Sequence, residues 1–353
     1  MTFDLVIGSG LLVGAVAGGA ARFGRLCTMS AVEDALIGHD YRGLKAWSLV
    51  LAVAIAVTQG MQALGWIDLG QSLYAATRVH LLGAVLGGAL FGLGMTLVGT
   101  CSFGLLVRAG GGDMRAIVSA VVVGIFAIAV TAGALAPVRE GLLGVGIVRL
   151  APYGSSSLDG LAAHFLGREV AYGGVLGLVA LLAAIPFVDR RLWRRRRLLS
   201  GAVLMGLAIG GGWLATSRAV DALLLDRPES LSFVAPVGRA LLQLMMEPFR
   251  NTGFGVSAAV GAVLASLAVA LWRREFRWEA FDDALEMRRH LLGGALMGIG
   301  GVLAQGCTIG QGLSAASTLA ITAPVFVISV LVGARLGLRH LIEGRAMWRL
   351  GRT

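Results

Sequence analysis

Residues 88–104 read GALFGLGMTLVGTCSFG, and residues 294–310 read GALMGIGGVLAQGCTIG. Eight of these seventeen positions are identical at a constant offset of 206: Gly88/Gly294, Ala89/Ala295, Leu90/Leu296, Gly92/Gly298, Gly94/Gly300, Leu97/Leu303, Cys101/Cys307 and Gly104/Gly310. Self-similarity of this kind marks a duplicated unit. Each copy is an apolar, glycine-rich run that ends at a cysteine followed by a hydroxyl residue.

Outward from this pair, the whole chain has the same character. Of 353 residues, 57% are apolar and 14% are charged, against roughly 25% charged in a soluble domain. A soluble fold of this size would lack the charge to cover its surface. Glycine is abundant at 53 residues, but there are only 7 prolines and no triplet period, which excludes collagen-like and disordered classes. A mean hydropathy of +0.81 and repeated runs near the ~20 residues needed to cross hydrocarbon define an all-α polytopic membrane protein. Soluble enzymes and nucleic-acid binders are excluded. The net charge of +10 does not argue for nucleic acid, because the basic residues lie between apolar runs.

Hydropathy places nine transmembrane spans near 3–26, 44–67, 72–99, 115–136, 168–188, 199–217, 252–271, 288–306 and 321–340. The N-terminal run carries Asp4 and no basic leader, and it is read as a retained first span. Segments 28–38, 102–109, 236–247 and 308–319 are too short to cross and too apolar for ordinary loops, so they read as re-entrant half-helices. With the arginine-rich loop 190–197 in the cytoplasm, the remaining Lys and Arg place the N-terminus outside and the C-terminus inside. The first unit, 3–136, and the second, 199–340, then hold four spans each. The connecting region 137–198 adds one span between an outer loop and the basic cytoplasmic loop, and 341–353 is a cytoplasmic tail. One odd span inverts the second unit, so two inverted repeats surround a central pathway.

The three cysteines share a setting: GRLCTMS around Cys27, GTCSFG around Cys101 and QGCTIGQG around Cys307. Each lies where a span ends, with small residues before it and Thr28, Ser102 or Thr308 after it. A hydroxyl opening a short helix is a good N-cap, and the N–H groups of that helix favour an anion without a full charge in the membrane. A thiol adds a polarizable sulfur and a weak donor suited to a soft sulfur or selenium atom. The solute is therefore an anion with a soft end, and no arginine inside 294–310 holds it too tightly to leave. Without a CxxC, and with three cysteines in separate segments, a disulfide framework is unsupported. No nucleotide-binding loop and no cofactor or metal site is read.

The bland readings differ by residue. Glycine spacing such as Gly88, Gly92 and Gly94, or Gly294, Gly298 and Gly300, is by default helix packing. His80 and His290 read as interfacial anchors. Gln305 and Gln311 bracket Cys307, and an amide at membrane depth must find a partner, whether the solute or the protein. Glu33 and Asp34 read as a solvated cytoplasmic face, with proton coupling as the minority role. Glu247, Arg250 and Asn251 flank Pro248 and are expected to pair at the outer surface.

With these residues in hand, the chain resembles the YeeE/YedE family of bacterial sulfur transport proteins. The signatures are ARFGRLCTMSAVEDAL, GMTLVGTCSFGLLVRAGGG and GVLAQGCTIGQGLSA, and the resemblance spans nearly the whole chain. It implies an hourglass-like permease of the bacterial inner membrane. Thiosulfate, or a closely related sulfur oxyanion, would pass Cys27, Cys101 and Cys307 by transient S–H···S contacts. Thr28, Ser102, Gln305, Thr308 and Gln311 are candidate contacts along that route. Some relatives are accompanied by a small cytoplasmic sulfur-accepting protein. The outer segment 137–167 has no counterpart in that pattern. Alternatives are a carrier of another soft sulfur or selenium species or of a soft metal, and a membrane thiol or sulfurtransferase enzyme.

Overall fold

The computed structural model describes residues 2–75, 78–145, 147–149, 157–222, 224–246 and 252–343. Glu247, Arg250, Asn251 and the tail beyond 343 lie outside them. The chain opens with α1 (Thr2–Gly24), α2 (Thr28–Leu36), α3 (Arg42–Ala63), α4 (Leu81–Val98), α5 (Ser102–Ala109) and α6 (Met114–Thr131). The connecting region holds α7 (Ala136–Gly144), α8 (Leu158–Leu166), α9 (Arg168–Phe187) and α10 (Arg190–Trp193). Then come α11 (Arg196–Asp221), α12 (Ala235–Met246), α13 (Phe254–Trp272), α14 (Ala284–Leu303), α15 (Ala315–Ser317) and α16 (Thr322–Glu343).

Among the described residues eight stretches are long and apolar enough to cross a membrane, and the chain is an all-α multi-pass membrane protein. The remaining expected span, 288–306, is α14, whose 20 residues begin with Glu286, Arg288 and Arg289 and so are more charged at their start. The span expected at 72–99 begins only at Leu81. Before it the chain makes two 3-10 turns, Leu69–Gln71 and Leu73–Ala75. Strand β1 (Arg78–His80) then pairs antiparallel with β2 (Ile147–Arg149) of the connecting region. This pairing ties the outer segment to the start of α4, and His80 Nδ1 lies 3.1 Å from the carbonyl of Leu143. The half-helix expected over 308–319 is a π-helical turn, Gly310–Ser314, followed by α15.

Glycine sets the packing. Cβ atoms at Gly87 and Gly94 would lie 2.5 Å from the carbonyl oxygens of Gly300 and Gly293, respectively. The backbones of α4 and α14 therefore touch at two points and run antiparallel, as small residues permit in helices that lack a hydrophobic drive to associate. Gly14 and Gly18 bring α1 onto Ala258 and Ala262 of α13. In the same manner Gly206 and Gly210 bring α11 onto Val53 and Val57 of α3. Gly92 seats α4 on Val330 of α16, and Gly298 seats α14 on Val123 of α6. The glycine periodicity thus serves helix packing. Large side chains fill what remains: Phe91, Met205, Trp213, Phe254 and Phe326 are fully buried. By contrast Leu12, Leu176, Leu264 and Ile328 are exposed, as an apolar surface meeting lipid requires.

Candidate functional site

Three helix ends build the site, and each ends the same way. Arg25, Gly99 and Gln305 adopt left-handed backbone conformations, with φ of 54°, 77° and 61°. Each stands two residues before a cysteine. A left-handed residue closes a helix by returning late N–H groups to its last carbonyls: Leu26 N donates to Ala21 O at 2.9 Å and Gly306 N to Gly301 O at 2.8 Å. Cys27 and Cys101 then open the following helices, while Cys307 lies in the turn before the π-helical segment Gly310–Ser314.

The hydroxyl residues are not the caps, contrary to the sequence expectation. Cys27 and Cys101 occupy the N-cap positions of α2 and α5, which leaves Thr28 and Ser102 as the first helical residues with side chains free for other contacts. The Cys101 sulfur accepts from Gly104 N at 3.4 Å, and the Cys307 sulfur accepts from Gly310 N at 3.4 Å. Cys27 makes no such cap bond; its sulfur turns to Thr100 Oγ1 at 3.9 Å. Reciprocally, the Cys101 thiol donates to Thr28 Oγ1 at 3.9 Å. Two cysteine–threonine pairs therefore cross between the first and second breaks.

The third break joins them. Cys101 lies near both Cys27 and Cys307, with Thr308 beside it. Cys101 and Cys307 are buried, and Cys27 is half-buried. Around them Ser102 Oγ and Gln311 Oε1 are sealed from solvent without a hydrogen-bond partner, and Thr308 Oγ1, beside the Cys101 thiol, makes no hydrogen bond of good geometry. Ser102, Thr308 and Gln311 are only 2%, 8% and 1% exposed. Each orphan of this kind costs about 1–3 kcal/mol, so an apolar substitute there would be more stable. Gln311 is anchored by its amide, which donates to Thr322 Oγ1 at 2.5 Å. Gln305 is half-buried at the left-handed turn.

Neighbouring elements lock the breaks. Arg108, at the end of α5, donates to Gly99 O at 3.2 Å and so closes the second break on itself. The extended stretch 229–234 runs between the second and third: Phe233 stacks on Phe103 with ring centroids 4.7 Å apart, and Leu231 O accepts from Ser314 at 2.9 Å. Trp213 Nε1 donates to Ser317 Oγ at 3.0 Å, and Gln59 to Ser317 O at 3.0 Å. Tyr74 packs edge-on against Trp213 and feels both Cys307 and Glu229; burial first, then those two groups, push its phenol above its ordinary range. The Glu229 carboxyl is raised by burial, against the opposing pull of Arg239, the Gly255 N–H and Arg227. Tyr74, Arg108 and Glu229 carry no local sequence signal that links them to a cysteine.

Other expected residues stand apart. His290 packs its ring against Phe281 and pairs with Ser119 Oγ at 2.9 Å, and Glu33 and Asp34 are exposed. One face of the site opens into a cavity of ≈ 560 Å³ with Cys27 in its wall and Arg194 to Arg197 around it.

The profile of the sulphur transport family matches residues 23–336, which include all three breaks. The chain belongs to that family. It is similar to the thiosulfate transporter TsuA of Escherichia coli K12, with 28% identity over 88% of this chain and 87% of that protein. It is also similar to the thiosulfate transporter TsuA of Spirochaeta thermophila, at 28% identity over 93% of this chain and 97% of that one.

Proposed function

We propose that this chain is a permease for thiosulfate or a closely related sulfur oxyanion, and not an enzyme, with its route running past Cys307, Cys101 and Cys27. The observation that carries the reading is the pair of sealed hydroxyls of Ser102 and Thr308, each following one of two neighbouring thiols, with Ser102 Oγ left without a hydrogen-bond partner and Thr308 beside the Cys101 thiol. Thiosulfate matches that pairing: its terminal sulfur is soft enough to accept weak S–H donors, and its sulfonate oxygens accept O–H donors. Gln311, whose Oε1 is likewise without a partner, stands four residues after Cys307 and is a further polar contact in this reading. The N-terminal N–H groups of α2 and α5 add positive potential without a fixed cation, so the anion is held loosely enough to move on. The similarity to two thiosulfate transporters supports the choice of substrate.

In this reading 3–136 and 199–340 are inverted copies. Matched glycines support it: at the offset of 206, Gly87 corresponds to Gly293 and Gly94 to Gly300, while Gly87 meets Gly300 and Gly94 meets Gly293. Such a crossed pairing is what a two-fold axis between antiparallel partners produces. The segment 137–198 links the copies. In the same reading the Cys27 end and the C-terminus lie in the cytoplasm of a bacterial cell and the N-terminus in the periplasm, which the arginine clusters support, with a small sulfur-accepting protein as a candidate receiver on the inner side.

Uptake of labelled thiosulfate into proteoliposomes, with and without a pH gradient, tests the activity. The Cys101→Ala, Cys307→Ala double variant tests the route: it should retain its fold and lose uptake, and normal uptake by it would sink the thiol pathway.

A further inference from the structure

The cavity beside Cys27 has a charge pattern that topology alone does not explain. A positive-inside bias requires arginines on this side of the membrane, but not their collection around one opening of ≈ 560 Å³. Arg25, Arg42 and Arg273 line it with compensating partners: Arg25 and Arg273 share Glu275 at 3.2 and 3.9 Å, and Arg42 faces Asp40 at 3.5 Å and Asp189 at 3.8 Å. Arg194 to Arg197 are different. All four are exposed, and among the described residues none is in an ion pair; Arg197 only overlies the Phe23 ring at 5.9 Å. Asp34 and Asp40 are the two carboxylates in the wall.

The position of these arginines is also electrostatically uphill. Arg195 is the N-cap of α11, and Arg196 and Arg197 form its first turn, with no acidic residue there. The start of a helix carries partial positive charge and disfavours cations. The α2 start, with Cys27 as its uncapped N-cap, reaches the same cavity. Two helix N-termini and four unpaired guanidiniums around one opening repel each other until an anion enters.

We propose that this vestibule, at the Cys27 end of the route, is a second oxyanion site separate from the buried Cys101 and Cys307, which holds a small divalent sulfur oxyanion such as sulfate or thiosulfate. Held there, the anion occupies the end of the route and slows further delivery, so transport is inhibited by oxyanions accumulated on the arginine side. The inhibitory part rests on the reading that the route ends at Cys27; the binding part does not. Guanidinium forks match an oxyanion of this shape, and a phospholipid phosphate has the same chemistry.

The test is equilibrium binding of labelled sulfate to the full chain in a phosphate-free maltoside detergent. Wild type should bind sulfate with an affinity that falls steeply with salt. The R194Q/R195Q/R196Q/R197Q variant should bind at least about tenfold more weakly, whereas the corresponding four-lysine variant should stay within about threefold. Should the four-fold variant fail to fold, R195Q and R196Q singly should each weaken binding by about threefold. The Cys101→Ala, Cys307→Ala variant should bind sulfate as wild type does, even if its uptake proves normal and the thiol route is abandoned. In proteoliposomes, sulfate enclosed on the arginine side should slow thiosulfate uptake by wild type and not by the glutamine variant. Unchanged sulfate binding in the glutamine variants, loss of binding in the cysteine variant, or displacement of sulfate by added phosphatidylglycerol would each overturn the proposal.

Discussion

The sealed hydroxyls give a prediction with opposite signs in two assays. Ser102→Ala removes a buried hydroxyl that has no partner, so it should stabilise the fold by about 1–3 kcal/mol, whereas Thr308→Val, whose hydroxyl lies beside the Cys101 thiol, should gain less. If those hydroxyls serve the solute, the same changes should lower thiosulfate uptake; thermal unfolding in detergent and liposome uptake read the two effects separately. Gln305 offers a related contrast, because it holds a left-handed conformation where its matched position is Gly99. Such a conformation costs an L-residue roughly 1–2 kcal/mol, so Gln305→Gly should raise the unfolding temperature, and any fall in uptake isolates the work of the amide. Glu229 supplies a pH dependence. Its folded pKa lies above the ordinary glutamate value because of burial, so on raising the pH the unfolded chain loses its proton first. Stability from this group therefore falls as the pH rises from the ordinary glutamate value through the raised one. Glu229→Gln should flatten the slope of unfolding temperature against pH in that window.

At the scale of elements, the breaks depend on residues that clamp them and on glycines that admit a neighbour. Gly94→Ala would place a Cβ 2.5 Å from Gly293 O, and two backbones cannot yield as a side chain does. The expected cost is of the order of 1–3 kcal/mol, read as a lower unfolding temperature, while Gly177→Ala in α9, which meets nothing within 4 Å, should be neutral. Arg108→Gln should loosen the second break by removing the bond to Gly99 O, lowering uptake more than stability. These elements also show what local sequence can reveal. The short helix after Cys101 was legible from its hydroxyl start and apolar length, and it occupies 102–109 as expected. The left-handed residue before each cysteine was not, because Arg, Gly and Gln fill it in turn and share no side-chain signal. The stretch 72–80 reads as helix because no glycine or proline interrupts it. Its strand depends on pairing with residues 147–149, a partner no local window contains.

Across the whole molecule, the thiols differ in depth in a way that makes sidedness measurable. Cys27 adjoins the arginine-lined opening and is half-buried, while Cys101 and Cys307 are sealed. A membrane-impermeant maleimide should therefore modify Cys27 from the side that carries Arg194 to Arg197, and leave Cys101 and Cys307 unmodified from either side in the resting protein. If the second unit is an inverted copy, the third break approaches the opposite face, and turnover should expose Cys307 only from that face. Variants retaining a single cysteine make the assignment, and thiosulfate should slow labelling of Cys27 if the ion lingers beside it. Labelling of Cys27 and Cys307 from the same side would be incompatible with inverted repeats and with a route that crosses the bilayer. The chain would then have to be read as a one-sided sulfur-binding protein, since a permeation path needs its stations to be reached in sequence from opposite faces.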